Sequence, residues 1–407
     1  MKILYIHPNA WIGEYFILKK LYEIGHDICV LEEDRNKRSA VFHIENYFKE
    51  INDNIETFWY NPKKGYKKII TWPVNHFFKK SFNGRNLGHR MWIIWDAVNY
   101  FKPDAIICSE GFAYAIPAAF LKKMGLLKPV LLISYIGGDI LDCPEADYGK
   151  RRKPVTKWLM RQPIKSAEIL RAVSPLLKKE LMDFGANPDK IHIIPSHLFL
   201  STENINKVLK HKREFRLKIR QKYGIPENTP VVITLSGNLK GKGIQTLVSA
   251  WDKILKRIPE CCWLLCGPQN QWFQEAVSPL INKYLNKSIF LTGKLTGFEI
   301  FEYLSAADLH INPSLCEGLN MATVEAAAIG IPTITSDRAG IAYWIEKFEA
   351  GKIVPAGNVG ALVEAIVESF QNPYFIKKWE HNCIMLSKDF TLENVADNIV
   401  RLLEKYL

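Results

Sequence analysis

The stretch CEGLNMATVEAAAIG, Cys316 to Gly330, places Glu317 just before an apolar run and Glu325 inside it, eight positions on. On one α-helix eight residues span about 12 Å along the axis and about 80° around it, so these carboxylates cannot work as an adjacent acid–base pair. DLHINPS reads as a strand, LCEG as a loop beyond its carboxyl end, and Asn320 as the cap of a helix that follows. Glu317 in the loop and Glu325 in the second helical turn could then hold two ends of one elongated ligand. The helix N-terminus between them favours phosphate, through free N–H groups and the macrodipole. A carboxylate is also a natural acceptor for a ribose diol. The chemistry these residues fit is sugar, phosphate and ribose in a row. The plain alternative is a solvated Glu317 and an ordinary helix-surface Glu325.

A second motif bears on that choice. SGNLKGKGIQTLVSAW follows a strand, with Gly237, Gly241 and Gly243 permitting tight turns and Lys240 and Lys242 bringing cations to the mouth of the next helix. This is a phosphate-site pattern, although it lacks the spacing of a P-loop. LCGPQ adds a turn at Gly267 and Pro268 after the following strand.

The elements needed to position these residues are visible as short apolar runs. KILYIHP, DICVLEE, PDAIICS, PVLLISYIGG, EILRAVS and KIHIIP form a first set, with helical patterns between several of them. VVITLSG, CCWLLCGP, SIFLTG, LHINPS, PTITSD and AGKIVPA form a second set, with helices expected near 243–257, 271–285, 297–305, 320–329 and 358–371. Apolar strands alternating with helices predict parallel sheets covered on both faces. The polar, basic segment 201–229 interrupts the rhythm and reads as a linker with one helix. The expected organisation is an N-terminal Rossmann-like domain over 1–200, the linker, a C-terminal Rossmann-like domain over 230–387, and a closing helix over 388–407 that packs back toward the first domain. Ligands of such sheets bind at the carboxyl ends of the strands, and two facing domains would place one cleft between them.

Taken together these motifs resemble the GT-B glycosyltransferases of family 4, the large retaining group, over nearly the whole chain. An E-x7-E signature is present as Glu317 and Glu325, and GNLKGKG resembles part of the family's glycine–lysine loop. The resemblance implies an α/β fold of two doubly wound domains across a central cleft, and a sugar transfer from a nucleoside-diphosphate sugar to a hydroxyl of a glycan or lipid-linked acceptor. It implies that Glu325 holds the ribose and Glu317 contacts the donor sugar. Gly318, Leu319, Asn320 and Met321 would meet sugar and phosphates through their backbone, and Lys242 would neutralise the diphosphate. Gly13 falls where a glycine loop lets the donor phosphates approach. In SYIGGDIL, Gly137 and Gly138 could offer N–H groups, and Asp139 could bind a hydroxyl or serve the loop itself. Glu110 in ICSEGFAY could face the acceptor, or be a simple loop carboxylate. The chain departs from the family at Asn238 (usually Arg), Asn320 (usually Gly), Ala322 (usually Pro) and Ile136 (often His). Lys240 could replace the missing cation. No metal or other cofactor is expected, and the acidic LEED at 31–34 is not read as a metal site.

Composition bounds the remaining classes. The net charge is +12, and residues 1–200 carry 30 Lys and Arg against 21 Asp and Glu. Residues 61–90 hold eight basic residues and no acidic one, and residues 150–179 hold ten against the single Glu168. Aromatic residues are interleaved in the first stretch, Trp158, Leu159 and Met160 repeat the pattern in the second, and this suits the headgroup region of an anionic membrane. A solvated basic face is the other reading. Binding of nucleic acid or acidic polymers is disfavoured, because no nucleic-acid motif accompanies the charge. An enzyme of the same fold with another reaction, a phosphorylase or an epimerase, is the remaining alternative. MKILYIHP reads as a strand rather than a signal peptide, and no run approaches the roughly 20 apolar residues of a spanning helix. The expected location is the cytoplasm, with a peripheral contact to the inner face of the cell membrane. The eight cysteines, without zinc-type spacing, read as reduced core residues.

Overall fold

The computed structural model describes residues 1–7, 12–33, 39–40, 55–57, 87–236 and 240–407. Gly237, Asn238 and the basic stretch from Lys63 to Arg85 lie outside the described residues. The chain divides into two units. The first contains 1–142, 149–194 and 395–407, and the second contains 143–148 and 195–394.

The strands of the first unit are β1 (Lys2–His7), β2 (Asp27–Glu33), β3 (Ser39–Ala40), β4 (Ile55–Thr57), β5 (Ala105–Cys108), β6 (Val130–Tyr135), β9 (Ile169–Ala172) and β10 (Ile191–Ile193). A separate two-stranded ribbon pairs β7 (Asp142–Cys143) with β8 (Tyr148–Gly149). The main sheet runs β10-β9-β6-β5-β1-β2-β3, with β4 also on β2. Its pairings are parallel except for β3 on β2. β1, β2, β5, β6, β9 and β10 are the six apolar runs of the sequence. β3 and β4, of two and three residues, are too short to show a period of two.

The second unit holds β11 (Val231–Leu235), β12 (Cys262–Cys266), β13 (Ile289–Gly293), β14 (Leu309–Asn312), β15 (Thr333–Ser336) and β16 (Gly351–Val354). They form one parallel sheet in the order β13-β12-β11-β14-β15-β16. Alternate side chains go to opposite faces, as strand geometry requires. Val232, Trp263, Leu265, Leu309 and Ile311 join one core cluster, while Val231, Ile233, Cys262, Leu264 and Cys266 join the other. All eight cysteines are buried and unbridged.

Three expectations need correction. The segment 201–229 is not a linker, because Thr202–Lys222 is a 21-residue helix of the second unit. Its Val208 and Ile219 are buried in that unit's core, and a helix anchored in this way is part of the domain it packs on. The helix expected over 271–285 breaks into Gln271–Ala276 and Ser278–Ile281, since Pro279 lacks an N–H and clashes with the preceding turn. Gly13 lies in the first turn of helix Ile12–Glu23 rather than in a loop.

Candidate functional site

In each main sheet the strand order reverses at one point, between β1 and β5 in the first and between β11 and β14 in the second. Crevices outside the carboxyl ends of strands at such a point are where open α/β sheets bind ligands. The glycine–lysine loop leaves the carboxyl end of β11, and the loop carrying Glu317 leaves β14 beside it.

Backbone contacts join the two loops. Leu315 N–H donates to Gly241 O at 2.8 Å. Gly243 has φ of 65°, and a Cβ there would lie 1.9 Å from Pro313 O, so only glycine lets the loops approach this closely. The Lys240–Lys242 turn therefore lies against the start of the Glu317 loop. Lys242 Nζ forms an ion pair with Glu317 Oε2. The backbone of Glu317 is fixed as well: its N–H donates to Arg338 O at 3.1 Å, and its carbonyl accepts from Gly340 N–H at 3.0 Å.

Asn320 takes φ of 88°, a region that asparagine tolerates better than most residues with a Cβ. Its Oδ1 caps helix Met321–Ala328 by accepting from Thr323 N–H at 2.8 Å. Its Nδ2 donates to Asn312 Oδ1 at 3.0 Å, and Ser314 Oγ donates to the same oxygen at 2.7 Å. Asn312 in turn donates to Thr335 Oγ1 at 3.0 Å. Asn320 thus keeps the backbone turn that a glycine would make and adds a cap. The sequence does not disclose Asn312, Ser314 and the Arg338–Gly340 turn as supports of this loop. Their only signal is that NPS and SDRAG follow neighbouring strands.

Glu325 lies in the second turn of this helix and is half-buried. Burial pushes its carboxyl up to about 7, and no hydrogen bond or ion pair holds it among the described residues. Gly318, Leu319 and Asn320 are buried at the helix mouth, with Met321 partly exposed. Gly267 follows β12 with φ of 147°, but its N–H is committed to Gly293 O at 2.9 Å; Pro268 is exposed. Lys240 is exposed, with no ion pair among the described residues.

The residues expected on the acceptor side are in the first unit, beyond β5 and β6. Asp139 is buried, and its carboxylate accepts from Gly111 N–H at 2.9 Å, Gly137 N–H at 2.8 Å and Ile136 N–H at 3.2 Å. Of its two readings this supports the second: the carboxylate serves the loops by tying them together, rather than standing free for a hydroxyl. Gly137 is corrected, because its N–H is spent on Asp139. The Gly138 N–H has no partner among the described residues. Glu110 is buried and accepts from the N–H groups of Ala113 and Tyr114, so one oxygen caps the next turn. Burial raises its carboxyl above the usual range, Lys150 at 4.0 Å opposes this, and nearby Asp139 adds to it. His7, at the end of β1, is buried and pushed down to about 4, and so is neutral.

No cluster of His, Cys, Asp and Glu suited to a metal occurs among the described residues, and no described helix is long and apolar enough to cross a membrane.

Residues 230–372 match the family model described as glycosyl transferases group 1. A putative teichuronic acid biosynthesis glycosyltransferase, TuaC of Bacillus subtilis, is 26% identical over 206 residues, which is 51% of this chain and 48% of that protein. Across three such relatives the matched part covers 48% to 63% of their length. A glycosyltransferase structure from Rickettsia africae superposes with a TM-score of 0.74 at 18% identity, covering 99% of this chain and 98% of that one. HepE of Anabaena in complex with UDP superposes with a TM-score of 0.72, and in complex with UDP-glucose with 0.70. Both are 16% identical and cover 100% of each chain.

Proposed function

We propose that this chain, whose residues 230–372 match the glycosyl transferases group 1 model and which has the GT-B fold, is a retaining glycosyltransferase. Its donor is a nucleoside-diphosphate sugar, and its acceptor is a hydroxyl of a glycan or lipid-linked molecule used in cell-envelope or glycoconjugate synthesis. The observation that carries the reading is the Lys242–Glu317 pair at the reversal point of the second sheet, beside a helix N-terminus and the unpartnered Glu325. The HepE complex with UDP-glucose and the name of TuaC support the same donor and product classes.

In this reading the bond from the sugar's anomeric carbon to the diphosphate breaks, and a bond to the acceptor oxygen forms on the same face. The departing phosphate oxygen takes the acceptor's proton. Charge grows on that phosphate and on an oxocarbenium-like sugar. Lys242 and the N–H groups at Gly318–Met321 meet the first in a fixed arrangement, which is where preorganised electrostatics contribute most. The acceptor is carried by an anionic membrane surface, and the protein works in the cytoplasm. No step uses a metal, so turnover should persist in excess EDTA. Strict dependence on Mn²⁺ or Mg²⁺ in chelator-treated enzyme would overturn that part.

Glu325 gives a pH-dependent test. Ribose hydroxyls donate to the ionised carboxylate, so the donor KM should fall as pH rises through about 7. Because the folded-state value is raised from 4.5, the associated stability is present below 4.5 and lost as pH rises through about 7. Bound donor would offset that loss by supplying hydrogen-bond partners. Glu325→Gln should keep the fold, flatten the pH dependence and raise KM by roughly 10- to 150-fold, the worth of a hydrogen bond to a charged group. Unchanged kinetics in a folded variant would remove Glu325 from the site.

A further inference from the structure

We propose that helix Pro154–Ser166 is the element that docks the first unit on an anionic phospholipid bilayer. The sequence marks residues 150–165 as basic, with Trp158, Leu159 and Met160 among the cations, but it does not say which side chains are free. The helix resolves this. Leu159 and Met160 are 0% and 1% exposed and face the core, whereas Val155 and Trp158 are 51% and 50% exposed. Lys153, Lys157, Arg161 and Lys165 recur every four residues and are all exposed. At about 100° per residue they form one slanting stripe, with Trp158 about 100° around from Lys157. The outer surface of the helix therefore carries cations along one flank and apolar side chains along the other.

Both flanks keep their outer side chains exposed. The stripe has no ion pair among the described residues, although cations elsewhere in the unit do: Arg151 pairs with Glu180 at 2.5 Å and Lys122 with Glu168 at 3.1 Å. Trp158 rests on Phe120, ring centroids 5.9 Å apart, which braces the indole while half of it stays in solvent. A braced, half-exposed Trp beside free lysines suits the headgroup level of a bilayer, where the ring inserts and the ammonium groups meet lipid phosphates. The far end of the stripe also has a place for a headgroup. A cavity of about 320 Å³ is lined by Arg161, Lys165, Asp183 and Phe184. The guanidinium groups of Arg151 and Arg161 lie 5.3 and 5.0 Å from the Phe184 ring centroid, which fixes Arg161 at its wall. Two cations against one carboxylate leave this cavity net positive, as a phosphate requires.

The inference rests on the reading of a membrane-borne acceptor and names the surface that would serve it. The test is co-sedimentation of the full chain with phosphatidylcholine vesicles, with and without phosphatidylglycerol, over a salt series. Wild type should bind only the anionic vesicles, and less as salt rises. The triple variant Lys153→Gln, Lys157→Gln, Lys165→Gln should bind on the order of 100-fold more weakly, from about 1 kcal/mol per cation. Trp158→Ser should weaken binding without changing its salt dependence. A charge-matched control, Lys210→Gln, Lys253→Gln, Lys287→Gln, alters exposed lysines of the second unit and should bind as wild type. Equal loss in the control would assign binding to net charge alone and overturn the helix. Full binding by the helix variant, with loss when Lys63, Lys64, Lys67 and Lys68 become Gln, would overturn the helix and leave the membrane reading standing. No binding to anionic vesicles at low salt would overturn both.

Discussion

Glu317→Ala is expected to lower turnover of a nucleotide sugar on the order of 100-fold, the scale of a lost positioning contact, while affinity for the free nucleoside diphosphate stays at or above the wild-type level. The reason is the resting ion pair. Glu317 holds Lys242, and the two side chains are 18% and 28% exposed, so each partly neutralises the other in a poorly hydrated site. A diphosphate arriving beside Lys242 competes with Glu317 for the ammonium group. The carboxylate is thereby released toward the sugar hydroxyls, and its backbone, held by Arg338 and Gly340, keeps it in place. Removing Glu317 removes the competitor as well as the sugar contact. Binding of the diphosphate and turnover of the sugar should therefore separate. A fall in diphosphate affinity as large as the fall in turnover would contradict the sugar-end role of Glu317.

The reciprocal substitution sharpens this. Lys242→Met removes the cation and leaves Glu317 as an uncompensated carboxylate beside the incoming phosphates. Both diphosphate affinity and turnover should drop, turnover by about 100- to 1000-fold, the scale of losing one preorganised charge-stabilising group. Adding Glu317→Ala to Lys242→Met should then recover part of the diphosphate affinity, because the repulsive group is gone. Such non-additivity is what a shared interaction produces. Strictly additive losses measured by calorimetry would show that the pair is not in play when the donor binds.

The sequence disclosed most where a role depends on neighbouring residues. β11, β12 and β13 of the second sheet hold contiguous apolar runs, and the buried alternation of Cys262, Trp263, Leu264 and Leu265 follows directly from the strand period. Glu325 lies on a helix whose cap and length are local properties. Roles set by distant partners were hidden. For Asp139 the sequence leaves hydroxyl binding and a loop role both open, because nothing near it shows that Gly111, 28 positions earlier, donates to it. The Asn320 cap is legible in the sequence, but its φ and its bond to Asn312 appear only in the fold. The basic segment after residue 200 looked like a linker because its charges outnumber its apolar residues. Several of those charges point inward onto backbone carbonyls, a use that hydropathy patterns cannot show.

That last case carries the largest expected effect on stability. Arg220→Ala should destabilise the second unit by about 3–5 kcal/mol, the range for breaking a buried, hydrogen-bonded charge network. Arg220 is 1% exposed. Its guanidinium donates to Ala306 O at 3.0 Å, Pro226 O at 3.0 Å, Glu227 O at 2.8 Å and Thr229 O at 2.7 Å, and pairs with Asp308 at 3.0 Å. Asp308 keeps Arg216 at 2.7 Å and the Val231 N–H at 2.8 Å, so the cost falls mainly on the carbonyls. Those carbonyls precede β11 and β14, the two strands whose loops carry Lys242 and Glu317. Lys212, about two turns earlier on the same helix, donates to Ile329 O at 2.8 Å and caps the far end of the helix that carries Glu325. A 21-residue helix outside the sheet therefore braces the elements of the site at their other ends. Arg220→Lys should recover little, because a single ammonium group cannot reach carbonyls spread around a planar guanidinium. Calorimetry should show the melting of the second unit lowered by roughly 10 °C. Turnover well below the transition should stay near wild type, since Arg220 touches no substrate in the proposed site. A variant melting within about 2 °C of wild type, which corresponds to 1 kcal/mol or less, would show that water replaces the guanidinium at little cost and that the helix is not the brace.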